Sequence, residues 1–118
     1  MIASKIKLLL IVFVLLQTQT CKKDDFKDVP VCILEKIKEL KTEDVSNPPT
    51  SVWQYEYNGK TVYFIPQKCC DLPSLLYDKN CNLICSPDGG FTGKGDGKCK
   101  DFFEKRTKEK LIWKDDRK

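Results

Sequence analysis

Seven cysteines are the residues of this chain best suited to chemistry. An odd number calls for an explanation in an exported protein, because disulfides use thiols in pairs. If one thiol is used in another way, the other six can form three disulfides in fifteen possible pairings. These six candidates are Cys32, Cys69, Cys70, Cys81, Cys85 and Cys99.

The cysteine spacing also admits a metal site. Three residues separate Cys81 from Cys85, which is near zinc-knuckle spacing, and the adjacent Cys69 and Cys70 offer two further thiolates. Neighbouring cysteines rarely bond each other. The simpler interpretation is therefore that residues 69 and 70 form two separate bridges that leave in opposite directions. Disulfides are favoured over zinc in an oxidising compartment. We therefore predict disulfides, with no metal and no other cofactor.

Histidine is absent from the chain, which excludes Ser–His and Cys–His dyads and histidine metal ligands. A thioredoxin-like activity would need Cys-x-x-Cys at a helix start, and the sequence has no such pattern. Four aspartates could supply a carboxylate pair for general acid–base catalysis, although no spacing requires it: Asp71, Asp88, Asp96 and Asp101. A small hydrolytic or thiol-redox enzyme is thus an alternative function, and no catalytic residue is predicted.

Residues 87–98, PDGGFTGKGDGK, contain five of the six glycines. Their spacing does not fit a phosphate-binding Walker loop. Calcium takes six to eight oxygen ligands, and Asp88 and Asp96 are too few acids to favour it. We predict a tight, glycine-dependent turn between Cys85 and Cys99 that exposes a binding surface. A disulfide-stapled protease inhibitor with residues 86–98 as its reactive loop is a further alternative.

The N-terminal residues predict an export signal. Residues 8–16 are uninterrupted apolar residues preceded by Lys5 and Lys7, and this run is far shorter than the roughly 20 residues of a membrane span. Cys21 directly follows Thr20, a fairly small residue, and this arrangement resembles a bacterial lipoprotein signal, although Thr18 stands where leucine is usual. In such signals the thiol receives a diacylglycerol and cleavage leaves the cysteine first. We predict a signal peptide at 1–20, lipidation at Cys21, a lipidated tether at 21–28 and one small domain at 29–118.

Cleavage before Cys21 would leave 19 basic and 17 acidic residues, without a clustered basic segment. This balance gives no support for a nucleic-acid partner. The predicted partners are a membrane, through the lipid anchor, and an envelope protein or glycan. The predicted location is the bacterial outer membrane, on its periplasmic or surface side. The run CKKDD at residues 21–25 resembles a surface-export tag and equally suits a solvated linker.

Several short elements must position these residues. VPVCILEKIKELK, residues 29–41, predicts a helix capped by Asp28 or Val29, with Cys32 beside its apolar stripe. The stripe consists of Val29, Ile33, Ile37 and Leu40. Residues 74–86 predict a hairpin whose loop, Asp78 to Cys81, needs a left-handed residue at Asn80 or Cys81. Residues 102–110 predict a helix capped by Asp101, and residues 111–113 predict a return to the sheet.

Asn58-Gly59 is a strong signal for a hairpin with a type I′ turn. Pairing Tyr57 with Lys60 around that turn places one set of four residues on one face: Trp53, Tyr55, Val62 and Phe64. The other face then carries Gln54, Glu56, Thr61 and Tyr63. We interpret the first set as sheet core and Tyr63 as a surface-contact residue. The predicted binding surface is therefore Tyr63, Asp88, Phe91 and Asp96.

The predicted fold is α+β and disulfide-stapled. Its N-terminal helix packs on a small antiparallel sheet of two hairpins, followed by the glycine-rich loop and a C-terminal helix and strand segment. NPP, VWQYEYNGKTVYFIP, CCD, LYD, ICSPDGGFTGKGDGKCKDFFEKR and LIWKD resemble an uncharacterised family of bacterial envelope lipoproteins, a domain of unknown function. That resemblance implies an exported, anchored domain and no particular activity. The leading hypothesis is a binding or structural module.

Overall fold

The computed structural model describes residues 26–69 and 71–118. The predicted signal peptide, Cys21, most of the tether and Cys70 lie outside these residues. Neither helix in the described ranges has the length and apolar composition needed to cross a bilayer.

Helix α1 comprises Val31–Leu40, and residues 26–29 form a turn just before it. Pro30 is its N-cap, where Asp28 or Val29 was predicted, because the Pro30 carbonyl already accepts the N–H groups of Ile33 and Leu34. The apolar stripe is confirmed, since Ile33 and Ile37 are 1% and 3% exposed. One face of α1 is thus committed to the core.

Five antiparallel strands form one sheet in the order β4-β3-β2-β1-β5. Their bounds are β1 Ser51–Tyr57, β2 Lys60–Ile65, β3 Leu75–Asp78, β4 Leu83–Cys85 and β5 Thr107–Lys114. The short helix α2, Phe102–Lys105, precedes β5. The predicted α+β, disulfide-stapled fold is confirmed.

The register of the first hairpin is confirmed in every pair. Tyr57 faces Lys60, and the ladder continues through Glu56–Thr61, Tyr55–Val62, Gln54–Tyr63 and Trp53–Phe64. Asn58 and Gly59 have φ angles of +52° and +74°, as a type I′ turn requires.

Cys81 takes the left-handed position in the second hairpin, with φ of +61°. The Cys81 N–H donates to the Asp78 carbonyl oxygen, and the Cys81 sulfur is bonded to Cys32. Of the two residues considered from the sequence, the bridged cysteine is therefore the one that bends the chain.

The predicted C-terminal helix is wrong beyond Lys105. Arg106 has extended backbone angles, and Thr107–Lys114 instead pairs with β1. Strand β1 would otherwise be an open sheet edge, so pairing satisfies its backbone groups and overrides the local helix propensity of residues 106–110. The predicted return of residues 111–113 to the sheet is confirmed.

The sheet buries residues on both faces. On the aromatic face, Tyr55, Tyr57 and Phe64 pack around Phe102 of α2, which is fully buried. On the helix face, α1 covers a second cluster. Its sheet residues are Val52, Tyr63 and Ile65.

Tyr63 corrects one sequence prediction. It is 2% exposed and belongs to the helix-face cluster, so it is not a surface-contact residue. The face carrying Tyr63 is polar near the Asn58–Gly59 turn but apolar at its other end. Helix α1 covers that apolar end.

Within the described residues, two disulfides connect the elements, Cys32–Cys81 and Cys85–Cys99. The first joins α1 to the loop of the second hairpin, and the second closes the segment between β4 and α2. These four thiols pair with one another. Cys70 lies outside the described residues, so bridges at residues 69 and 70 stay a prediction.

Candidate functional site

The candidate site is the glycine loop, which we define as residues 86–98. The Cys85–Cys99 bridge closes it at both ends. Asp96 connects the two ends of the loop. One of its carboxylate oxygens accepts the Ser86 N–H at 3.0 Å, and the other accepts the Lys98 N–H at 3.0 Å. The Lys98 N–H is the main cause that lowers the pKa of Asp96. Asp96 therefore supports the loop backbone.

Asp88 lies where the loop joins the sheet. Its backbone N–H donates to Ser74 Oγ at 3.1 Å, and its carbonyl oxygen accepts the Ser74 N–H at 3.0 Å. Ser74 is fully buried immediately before β3. The Asp88 Oδ1 atom is buried without a hydrogen bond. In the part of the chain that the structure describes, no three cysteine or acidic side chains lie close enough together to hold a metal ion.

At two positions of the loop only glycine fits, because neighbouring atoms lie too close to leave room for a Cβ atom. At Gly95, φ is +70°, and a Cβ atom would collide with the Ser86 carbonyl oxygen. At Gly89, φ is +76°, and a Cβ atom would collide with Gln67 and with the Leu72 carbonyl oxygen. These contacts fold the loop onto itself and onto the segment before β3, so the glycines give close packing here rather than mobility.

Phe91 occupies the tip of the glycine loop and is 94% exposed. The Gly93 N–H donates to the Gly90 carbonyl oxygen at 3.2 Å, which closes a turn around Phe91 and Thr92. The Gly95 N–H in turn donates to the Gly89 carbonyl oxygen at 3.0 Å. Single exposed apolar residues are common on protein surfaces. Phe91 differs because hydrogen bonds fix the backbone on both sides of it.

A groove of about 330 Å³ lies between α1 and β3, and sequence reasoning missed it. Leu40, Ile65, Leu75 and Tyr77 contribute apolar surface, and the Lys36 Nζ atom lies 4.4 Å from the centre of the Tyr77 ring. The groove is formed by residues far apart in the chain. Of its apolar lining residues, Leu40 belongs to the predicted helical stripe, which is the signal in the sequence that points to it.

Asp96 and Asp101 are both engaged in structural contacts. Asp101 accepts the Tyr57 hydroxyl and forms an ion pair with Lys105 at 3.0 Å. The Tyr57 hydrogen bond is the main cause that lowers the pKa of Asp101, and Lys105 lowers it further. A general acid working at neutral pH needs a raised pKa, so Asp96 and Asp101 are both unsuited to that role. Asp71 is exposed in the connection between β2 and β3.

Burial, together with the hydrogen bond that the Tyr55 hydroxyl donates to Glu109 at 2.8 Å, raises the pKa of Tyr55 to about 12. The Arg106 guanidinium lies 4.8 Å from the Tyr55 ring centre and 4.9 Å from the Phe103 ring centre. A phenol with this pKa stays protonated near neutral pH and cannot act as a base. We assign this cluster to covering the aromatic face.

The two cysteines with zinc-knuckle spacing belong to different bridges, since Cys81 bonds Cys32 and Cys85 bonds Cys99. They are therefore not a thiolate pair in this structure. Among the predicted surface residues, the structure separates Phe91, which is displayed, from Asp88 and Asp96, which hold the loop, and from the buried Tyr63.

The sequence model of one protein family, described as a domain of unknown function (DUF6970), matches residues 38–115. The match begins within α1 and ends just after β5, so it includes the whole sheet and the glycine loop. No curated protein and no solved structure matches the chain.

Proposed function

This chain belongs to the DUF6970 family, and we propose that it is an envelope-anchored lipoprotein whose domain captures a protein partner through Phe91. The exposed Phe91 at the tip of the internally bonded glycine loop is the observation that carries the binding proposal. The export signal and Cys21 in the sequence support the anchor.

The order of residues at the N-terminus supports the anchor. The apolar run after Lys5 and Lys7 is too short to span a bilayer, and Cys21 follows it at the border with charged residues. Acyl chains on the Cys21 thiol would each contribute about 0.8 kcal/mol per buried CH₂ group. Two or more long chains would make release from the membrane negligible.

Binding through Phe91 is energetically favourable. Transfer of a phenylalanine side chain from water to an apolar pocket contributes roughly 1.5–3 kcal/mol. The hydrogen-bonded turn lowers the entropy cost of ordering the loop on binding. Aromatic side chains presented on fixed backbones are typical anchors of protein interfaces.

The chemistry around Phe91 favours a protein over a glycan. Its neighbours at the tip are Gly90, Thr92 and Gly93, which offer one side-chain hydroxyl for hydrogen bonds to sugar hydroxyl groups. An apolar pocket in a protein requires only the ring. A glycan partner is the competing outcome of the binding experiment.

The protease-inhibitor alternative fits this geometry less well. Peptide segments recognised by strand addition are extended. The Gly93-to-Gly90 hydrogen bond instead closes a tight turn at Phe91. The tip therefore has the form of a protruding side chain rather than of a substrate strand.

The anchor is tested by growing expressing bacteria with labelled palmitate. We expect label in the wild-type protein and none in the Cys21→Ser variant, with the N-terminal peptide of the wild type carrying the mass of the acyl chains. An unlabelled wild-type protein, or an N-terminus that begins elsewhere, would contradict the anchor.

Capture is tested with the soluble Cys21→Ser protein immobilised and exposed to envelope extract. We expect Phe91→Ala to lower the affinity for the retained protein by about 10- to 100-fold. The matched control is Val31→Ala, because Val31 is also an exposed apolar residue, 70% exposed on α1. Equal capture by both variants, at unchanged melting temperature, would contradict the role of Phe91. Loss of binding to purified glycan alone would indicate a glycan partner instead.

A further inference from the structure

Apart from Phe91, a second aromatic surface lies between Phe26 and the end of β5, with basic residues around it. Phe26, Lys41, Trp113 and Lys114 line a groove of about 330 Å³. The Lys41 Nζ atom lies 6.0 Å from the centre of the Trp113 ring, and Leu111 beside it is 45% exposed. We define the Phe26–Trp113 face by Phe26, Lys41, Leu111, Ile112, Trp113 and Lys114.

The tether length brings this face close to the predicted lipid anchor. Four residues separate Cys21 from Phe26. Five steps of extended chain reach at most about 18 Å. If Cys21 is acylated, as the proposed function requires, the Phe26–Trp113 face cannot leave the vicinity of the bilayer.

The residue types of the face suit a membrane surface. Tryptophan is enriched at membrane–water interfaces, where one side of its ring is apolar and its N–H stays hydrated. Lysine can place its aliphatic stem along apolar groups while its ammonium reaches anionic headgroups. Lys41 and Lys114 outnumber Asp116, the acidic residue that also lines the groove.

The sheet order places the glycine loop at the other edge. Trp113 and Lys114 belong to β5, whereas the loop leaves β4 and is hydrogen-bonded to Ser74 before β3. β4 and β5 are the two edges of the five-stranded sheet. Four strand spacings correspond to about 19 Å. Contact of the β5 edge with lipid would therefore leave the glycine loop accessible to a partner.

We propose that the Phe26–Trp113 face lies against anionic lipid headgroups in the anchored protein and fixes the orientation of the domain. The two tryptophans of the chain provide a matched comparison. Trp113 packs beside the helix-face cluster, and Trp53 packs against the aromatic-face cluster on the other side of the sheet.

The test uses the full-length acylated protein in vesicles of phosphatidylethanolamine and phosphatidylglycerol whose acyl chains carry bromine near the headgroup. Trp53→Phe leaves Trp113 as the emitter, and Trp113→Phe leaves Trp53. We expect about a twofold loss of emission for Trp113 and little change for Trp53, because bromine quenches only at short range and tryptophan at the interface lies near the headgroups. In the Trp53→Phe protein, Lys41→Glu with Lys114→Glu should restore most of the emission.

The N-terminal mass separates the two proposals. If the acyl chains are present and bromine quenches both tryptophans to the same fraction, the membrane-facing surface is overturned and the anchored binding module stays intact. Acyl chains absent would overturn the proposed function and this inference together. Unchanged quenching after the double lysine substitution would show that the face does not recognise anionic headgroups.

Discussion

The two hairpins reach the same antiparallel geometry by different means. The first turns at Asn58 and Gly59, residue types that tolerate the left-handed φ angles found there. The second turns through Cys81, whose φ of +61° is unfavourable for most residues other than glycine. Its bridge to Cys32 and two N–H groups donated to Asp78 hold it in place.

The first hairpin is therefore determined by residues within its own turn, whereas the second hairpin depends on contacts with a distant part of the chain. A type I′ turn forms from its own two residues. The loop of the second hairpin depends on α1, because Cys32 of α1 supplies the other half of the bridge. Conditions that remove the bridge should affect the second hairpin first.

The largest expected effect comes from Cys32→Ala with Cys81→Ala. Loss of a bridge with a sequence separation of 49 residues should lower the free energy of unfolding by about 4 kcal/mol, because the unfolded chain gains entropy. Urea unfolding measures this change, and amide hydrogen exchange should show protection falling in β3 and β4 before β1 and β2.

The matched control for that prediction is Cys85→Ala with Cys99→Ala. Its separation of 14 residues corresponds to about 3 kcal/mol of chain entropy, and the bridge does not include the Cys81 turn. A uniform loss of protection over both hairpins in the Cys32 and Cys81 double variant would contradict the proposed difference.

Gly59→Ala should have the next largest effect. At φ of +74° an alanine is strained by about 1–2 kcal/mol. A Cβ atom there would meet no atom within 4 Å, so the cost is that of the backbone alone. Urea unfolding should therefore show a similar loss for Gly93→Ala, which has the same φ and open space. A Gly59→Ala protein as stable as wild type would show that the first turn does not depend on its residue type.

In the second hairpin the opposite substitution, Cys81→Gly, tests the same backbone effect. When Cys32→Ala has removed the bridge, Cys81→Gly should be more stable than Cys81→Ala by about 1 kcal/mol, because glycine adopts positive φ without strain. The two proteins are compared by urea unfolding, with Cys81→Asn expected between them. Equal stabilities would mean that the left-handed conformation disappears with the bridge.

This contrast also explains which parts of the fold could be predicted from the sequence. The register of the first hairpin followed from Asn58–Gly59 and the alternation on both arms, and the stripe of α1 followed from its 3.6-residue period. Tyr63 was misjudged because alternation separates two faces but does not tell where a helix will cover one of them. The extent of α2 was misjudged because pairing of residues 107–114 with β1 is a long-range interaction.

The candidate site shows the same division. The glycines of residues 87–98 predicted a tight turn between Cys85 and Cys99, and the structure has one. The bridge that closes it is one of fifteen possible pairings, among which the sequence does not choose. The inward roles of Asp88 and Asp96 depend on contacts with Ser74 and Ser86 that no local pattern indicates. Phe91 is displayed, and its role in binding stays a prediction.

The smallest expected effect is a pH response of the second hairpin. The Asn82 N–H is the main cause that lowers the pKa of Asp78 below its ordinary 3.8, and the Asn82 side chain and Asn80 N–H add to it. A lowered folded-state pKa means that the stabilisation is complete above about pH 4 and is lost as the pH falls through the folded value. The protection of the Asn82 amide, taken as its intrinsic exchange rate divided by its observed rate at each pH, should therefore fall on acidification, while the protection of the Asn58–Gly59 turn, which has no carboxylate, should be less affected. Asp78→Asn should remove most of that acid dependence, and an unchanged acid response in this variant would place its origin outside the turn.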